Sequence, residues 1–513
     1  MKRYVSALTV AGGVAAALLL AAGPVNAETL KVGMRSMPPG EGNPYTGRGL
    51  PHVFVWTPLY DNLTEIGDGG VIEPALAGSW TNDSNLTWTF KLRPGVTFTN
   101  GEPLTAAAVK ATYDWLQSEK GATTVIGKNM APIVDSVTAV DDLTVEFKTK
   151  TPYPLASREF AAVHIVAPKA WADLGIEGFA KKPHGTGPYV AESFKPGQIT
   201  INARADQANT IRPRTGNIDK IDYLDLGEGA ARLQALQSGQ IHIDTGAGID
   251  DIPTLERGGF IVDSVPAGRT LGLSFVSYRG GKHVEGPIGD VRVRQALNYA
   301  VNKQAIVDNI YGGNATVASQ AATTNAFGFN PDVKPYSYDP ERAKKLLAEA
   351  GYPNGFEMEI QGTTTNPVFT LVYQSAVQDL NAVGIKANFV GQTFADWLKH
   401  WLAGDWPYDA FGFGHDLSGN LDAGRSFTSF TSCMKNPPYY CNEDEMDLVK
   451  RQAEEFDPDA RLAILHELLA KNAANAPIIF LTQGIESMSI SPKVKNFKQI
   501  NQRLNYENMT LTN

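Results

Sequence analysis

Polar and apolar positions alternate along this chain at two periods, and the switches between them mark its elements. In LTWTFKLR, Leu86, Trp88, Phe90 and Leu92 alternate with Thr87, Thr89, Lys91 and Arg93, the period of a half-buried strand. LTVEFKTK repeats it, with Leu143, Val145 and Phe147 against Thr144, Glu146 and Lys148. Pro94-Gly95 suits the centre of a type II turn, Asn100-Gly101 suits a tight turn, and Thr105 can cap the helix that follows. Two amphipathic strands therefore flank a helix in this region.

Later the period lengthens. DVRVRQALNYAV places Val293, Ala296, Leu297, Ala300 and Val301 on one helical face, with Asp290 as its cap. Asn302 can cap the next helix, which stops at Gly312-Gly313. In DPERAKKLLAEAGYPNGF, Asp339 caps, Pro340 enters the first turn and Gly351 falls just past the end. Asp457-Pro458 opens a further helix in the same way, and strand-like FEMEI and GIKANFV surround the helical stretch between them. The mixture is α/β, with no short internal repeat and no low-complexity linker.

At 513 residues the chain exceeds one hydrophobic core, which predicts two or three domains. A formal charge of −9 argues against a nucleic-acid or anionic-membrane partner. The first 27 residues carry Lys2 and Arg3, an apolar run from Val5 to about Ala22, and Val25-Asn26-Ala27 at the end. That is the pattern of a cleavable secretory leader; a membrane anchor is the weaker reading, because the run is short and holds Ser6, Gly12 and Gly13. Loss of the leader removes two positive charges and no negative ones, which takes the formal charge from −9 to −11. An exported, soluble protein is expected, and a disulfide between Cys433 and Cys441 fits that compartment. The rival, a metal pair, lacks a nearby His or Cys to complete a zinc site.

Motifs of catalysis are missing from the sequence. There is no G-x-S-x-G elbow, no H-E-x-x-H helix and no G-x-x-x-x-G-K-[ST] loop. GTGPYV, from Gly185, imitates half of a dinucleotide fingerprint, but Pro188 breaks it and the third glycine is absent. Neither enzyme activity nor a cofactor is expected. Lone histidines such as His184, His400 and His415 do not make a metal site.

The ordered set of segments identifies the chain by resemblance. VIEPALAGSW followed by LTWTFKLRPGVTFTNGEPLTAAAV resembles the signature of the family 5 extracellular solute-binding proteins, the peptide, opine and nickel binders that serve ABC importers. GTGPYV, ARLQALQSGQIHID from Ala231, DVRVRQALNYAVNKQAIV, YDPERAKKLLAEAGYPNGF from Tyr338 and NAVGIKANFV from Asn381 follow in the family's order. No single motif is specific; the set is, and it spans nearly all of the chain after the leader. Thr99-Asn100, Ala107-Ala108 and Asn302 depart from the family's usual residues at turn and cap positions.

The resemblance implies a two-lobed α/β protein of the periplasmic-binding-protein fold, with an extra domain inserted in the first lobe. The divisions it suggests are a leader over 1–27, first-lobe parts over 28–70, 185–268 and 484–513, the extra domain over 71–184, and the second lobe over 269–483. It implies a monomer that takes a small organic ligand between its lobes and delivers it to the permease of an ABC importer. A sensory role at a chemoreceptor, or a sugar conjugate or metal chelate as ligand, remains alternative. Arg35, Ser36 and Met37 follow the first strand and either line the cleft or form a solvated loop. Arg269 either meets a ligand carboxylate or makes a surface salt bridge. Trp397 either stacks on a ligand or packs with Trp401 on a helix. Phe413 and Asp416, with His415 between them, fall where many members carry Trp-x-x-Asp, whose Asp receives the α-ammonium of a peptide; the alternative for Asp416 is capping a turn.

Overall fold

The computed structural model of the chain describes residues 28–47, 49–435, 438–500 and 503–512, and the leader lies outside the described residues. Its backbone is one continuous mixed sheet running through two lobes. From the second-lobe edge the strands run Lys386–Gln392, Glu357–Thr363, Ala410–Asp416, Ile261–Phe275, Ile478–Ile490, Ile243–Asp244, Glu28–Met34, Ile218–Asp225, Gln198–Ala203 and Tyr189–Lys195.

Two long antiparallel strands, Ile261–Phe275 and Ile478–Ile490, belong to both lobes. At one end Ile261 to Pro266 pair with Ile490 to Ile485, beside the first-lobe strand Ile243–Asp244. At the other, Thr270 to Ser274 pair with Gln483 to Ile478, and Arg269 to Phe275 pair with the second-lobe strand Ala410–Asp416. Register slips between Pro266 and Thr270. Proline donates no ladder hydrogen bond, and a slip of this kind bends a strand and raises its twist. Gly268 sits in the slip where a Cβ would come 2.7 Å from Cα of Ser418, so the crossing backbone is drawn tight against the second lobe.

The segments read as extra-domain scaffold form a separate four-stranded sheet, Ala77–Ser84, Thr87–Leu92, Thr144–Thr149 and Val134–Asp141 in that order. Trp88, Phe90 and Leu92 are buried while Thr87, Thr89 and Lys91 are not. Helix Ala106–Gln117 covers the sheet, opened by Thr105 Oγ1 accepting from the Ala108 N–H at 3.3 Å. Phe90, Tyr113, Phe147 and Phe160 pack into the same core as first-lobe Val32, Tyr189 and Tyr223. Asp290, Asn302, Asp339 and Asp457 each cap their helices through the side chain, and Gly312, Gly313 and Gly351 take positive φ past helix ends.

A second core gathers Leu273, Phe275, Val293, Leu297, Ile360, Val372 and Leu380, and a third packs helices Met446–Glu454 and Pro458–Asn475. The two lobes also touch away from the crossing strands. Arg158, on the short helix Ala156–Phe160, donates to the Asn420 and Gly70 carbonyls at 2.7 and 2.6 Å and lies 3.5 Å from Asp422. Asp422 is in turn held at 2.7 Å by both Nη1 and Nη2 of Arg461. All three side chains are buried, and Ile66 of the first lobe packs on Leu417 and Leu421 beside them. Burial works to raise the Asp422 carboxyl, but Arg461 and Arg158 overturn that and hold it below the usual carboxylate range. Cys433 and Cys441 are joined in a disulfide.

Candidate functional site

Where the crossing strands enter the second lobe, the sequence FGFGHD turns the strand Ala410–Asp416 into two different faces. Gly412 and Gly414 share the face of Asp416. A Cβ on Gly414 would lie 2.7 Å from Cδ of Arg269, and one on Gly412 would lie 2.6 Å from Cε2 of Tyr373. The missing side chains let the Arg269 stem and the Tyr373 ring lie flat on the strand. Arg269 is the register partner of Asp416 and reaches its Oδ2 through Nη2 and through Nε, the latter at 3.2 Å. Asp416 Oδ1 accepts from the Ser418 N–H at 3.0 Å. Burial pushes the Asp416 carboxyl up, but Arg269 and Ser418 outweigh it and hold the group below its usual range. Asp416 therefore caps a turn and carries an ion pair at once, and the pair is half-exposed, so water and ligands reach it.

Around this pair lie three adjoining pockets, each of about 370 to 490 Å³, and Arg269 borders all of them. One runs toward the first lobe past Arg35, Thr245 and Gly246, where the Arg35 stem occupies the space a Gly246 side chain would fill. One opens toward Leu50, Val125 and Asn129 of the first lobe, with Arg425 and Phe430 on the facing side. The third is walled by aromatic rings, Phe369, Tyr373, Phe394, Trp397, Phe413 and Phe430. Within that wall Phe394, Phe413 and Trp401 each lie nearly parallel to Trp397, with centroids 5.8, 5.5 and 5.3 Å away. Arg35 and Arg425 make no ion pair within 4 Å among the described residues; Arg35 acts on the buried Asp244 carboxylate, and Glu486 lines the pockets of both arginines.

The structure thus brings together Arg35, Arg269, Trp397, Phe413 and Asp416. Ser36 is exposed and borders none of these pockets, and Met37 packs on the first-lobe core. The His415 ring is buried among Phe413, Phe430 and Phe480 on the other face of its strand, and burial lowers it to about 3. Trp397 packs with Trp401 and also borders the cleft. Arg425, Phe430, Tyr373 and Glu486 border the site without having been singled out in the sequence. The glycine–aromatic alternation of FGFG was the available signal, since glycine at alternate strand positions marks close approach. Among the described residues no cluster of three or more His, Cys, Asp or Glu is placed to hold a metal, and no helix is long and apolar enough to cross a membrane.

Comparison with known proteins bears on the fold and the family. The family described as bacterial extracellular solute-binding proteins, family 5 Middle, matches residues 71–436. Heme-binding protein A of Haemophilus influenzae is 28% identical over 483 residues, covering 86% of this chain and 84% of that protein. The dipeptide-binding protein of Escherichia coli K12 is 26% identical over 520 residues, covering 94% and 95%. The solved structure of HbpA2 from Haemophilus parasuis superposes with a TM-score of 0.84 at 24% identity, covering 95% of this chain and 100% of that one. The chain belongs to the family 5 bacterial extracellular solute-binding proteins.

Proposed function

We propose that the protein captures a small amine-bearing organic ligand that also carries a carboxylate, a peptide or opine-like compound, and delivers it to an ABC importer. The observation that carries this reading is the half-exposed Arg269–Asp416 pair at the strand crossing, flanked by Arg35 and Arg425 and backed by an aromatic wall. An α-ammonium fits the free lone pairs of Asp416, and a carboxylate fits a flanking guanidinium, whose planar fork suits it. Apolar side chains of the ligand would lie on the aromatic wall, the usual division of labour in a ligand pocket. The dipeptide-binding relative is named for a ligand of this class. In this reading residues 269–483 form the lobe that closes on the ligand and the leader directs export.

Calorimetry with the dipeptide Ala-Phe, its N-acetylated form and its C-terminal amide tests the proposal. Each blocked form is expected to bind at least tenfold more weakly than the free peptide. Equal affinity of the acetylated form would remove the role of Asp416. A second reading, a flat ring system or metal chelate, is favoured by Phe394, which is 53% exposed at the end of the ring stack. Binding of hemin with no competition from Ala-Phe would support it instead.

A further inference from the structure

The cleft does not stop at Asp416. Past Ser418 and Gly419 lies a smaller pocket of about 130 Å³ on the first lobe, bounded by helix His52–Trp56, Asn62, Glu65, Ala161 to His164 and Arg503. Gly49, Ser418 and Gly419 line both this pocket and the one that holds Arg269 and Asp416, so the two adjoin.

Its walls hold a cluster of buried polar atoms without a good hydrogen-bond partner within the protein. Among the described residues they are Nδ1 of His164, Oδ1 of Asn62 and the ring nitrogens of His52, whose one weak partner is the Gly49 backbone, while Nη1 of Arg503 has only the Glu507 carboxylate at 3.8 Å. His52 as a whole is only 8% exposed. Native proteins pair nearly all such groups, because a buried donor or acceptor without a partner is destabilising. Polar atoms of His52, Asn62 and His164 left without a good partner around one pocket mark a place able to bond something that enters.

The charges narrow what that is. Burial lowers the His164 imidazole to about 4, against a smaller opposing pull from Asp61, and burial lowers His52 as well, with the Gly49 backbone acting the other way. Both rings are neutral near pH 7, each with one donor and one acceptor. The Arg503 charge is already answered by Glu65 at 3.4 Å and Glu507 at 3.8 Å. Asn62 presents its oxygen, because Nδ2 donates to the Ala161 carbonyl at 2.5 Å. A carboxylate would confront that oxygen and Glu65, and an ammonium would confront Arg503. A neutral group that both donates and accepts satisfies every wall. The pocket is smaller than the three beside Arg269, so it suits a short terminal group.

We propose that this pocket is a second recognition point that receives an uncharged carboxamide or hydroxyl tail of the ligand whose charged head meets Arg269 and Asp416. The proposal rests on the reading of that head given above. It makes the cargo an elongated amine-bearing molecule with a polar neutral end, such as a glutamine-like or serine-like side chain or a sugar hydroxyl.

The pocket is tested by itself with fragments. Ring-nitrogen NMR of the histidine-labelled full chain, titrated with propionamide, is expected to shift the His164 and His52 signals, and sodium propionate is expected to leave them in place. The signals are assigned from His164→Phe, and the number of shifting rings in the unmodified protein serves if that variant does not fold. No shift with propionamide, or an equal shift with propionate, overturns the proposal. Calorimetry then compares Ala-Gln with Ala-Leu. An apolar tail would strand the polar walls, so the unmodified protein is expected to prefer Ala-Gln by roughly 5- to 150-fold. His164→Phe is expected to narrow that ratio. Equal affinity for the two peptides overturns the tail assignment. Failure to bind either peptide, with the propionamide response intact, overturns the head reading and leaves the pocket standing.

Discussion

Asp416 shows how a single carboxylate serves two demands. Its Oδ1 holds the turn at Ser418 and its Oδ2 faces Arg269, so it is fixed in place before any ligand arrives. Replacing it by Asn keeps the shape and the turn but removes the charge. Affinity for an amine-bearing dipeptide is expected to fall roughly 10- to 150-fold, the range for losing a hydrogen bond to a charged group. Calorimetry on Asp416→Asn measures this, and a change under about threefold would end the role. Because Arg269 and Ser418 hold the carboxyl below its usual range, it stays charged above pH ~4. Binding through it should persist there and be lost as pH falls through the depressed value. Asp416 was legible through the family motif it resembles and Trp397 through its helical spacing from Trp401, whereas the meeting of Arg269 with Asp416 spans 147 residues. Arg158 was not legible, since its partners lie 88 to 264 residues away along the chain, and nothing local distinguishes His52 or His164.

At the scale of elements, legibility was higher, because caps and periodicity are local physics. Thr105, Asp290, Asn302, Asp339 and Asp457 all take the cap positions that the sequence assigns them. The extra-domain sheet follows the alternation that begins at Leu86. The register slip between Pro266 and Thr270 was invisible in that sense, because it arises where one strand answers to different neighbours at its two ends. The disulfide belongs to this scale too. It closes the loop that brings Tyr439 and Tyr440 against Trp397, Trp406 and Phe411, at the back of the aromatic wall. Closing a loop of this length contributes about 2.6 kcal/mol in the chain-entropy description. Replacing both cysteines by serine should lower stability by about 2–3 kcal/mol in denaturant titration. It should also weaken ligands that lie on the wall, and an unchanged midpoint would show that the loop is held by packing alone.

On the scale of the whole molecule, two strands connect the lobes, and contacts such as Arg158 with Asp422 and Trp88 with Phe456 join them away from the crossing. The register slip, which contains Arg269 and faces Gly484, is the expected bending point of the strands. Closure about that point is expected to shrink the particle, so small-angle scattering should give a smaller radius of gyration with saturating ligand. At 100 times its dissociation constant the ligand should also add about 2.7 kcal/mol of stability. A profile that does not move at saturation would mean a cleft already closed or one that does not close. The Arg158–Asp422–Arg461 contact carries a different consequence, one for ancestry. Arg158 lies within residues 71–184, which the resemblance reads as an insert, whereas Asp422 and Arg461 come from the other side of the contact, and all three side chains are 6% exposed or less. The insert is therefore not a portable module. A recombinant that received residues 71–184 from a relative without the arginine would inherit a buried carboxylate with one of its two cations gone, at a cost of up to about 3–5 kcal/mol. Exchange between lineages would have to move both sides of the contact together, so these positions should travel as one inherited block although more than 250 residues separate them.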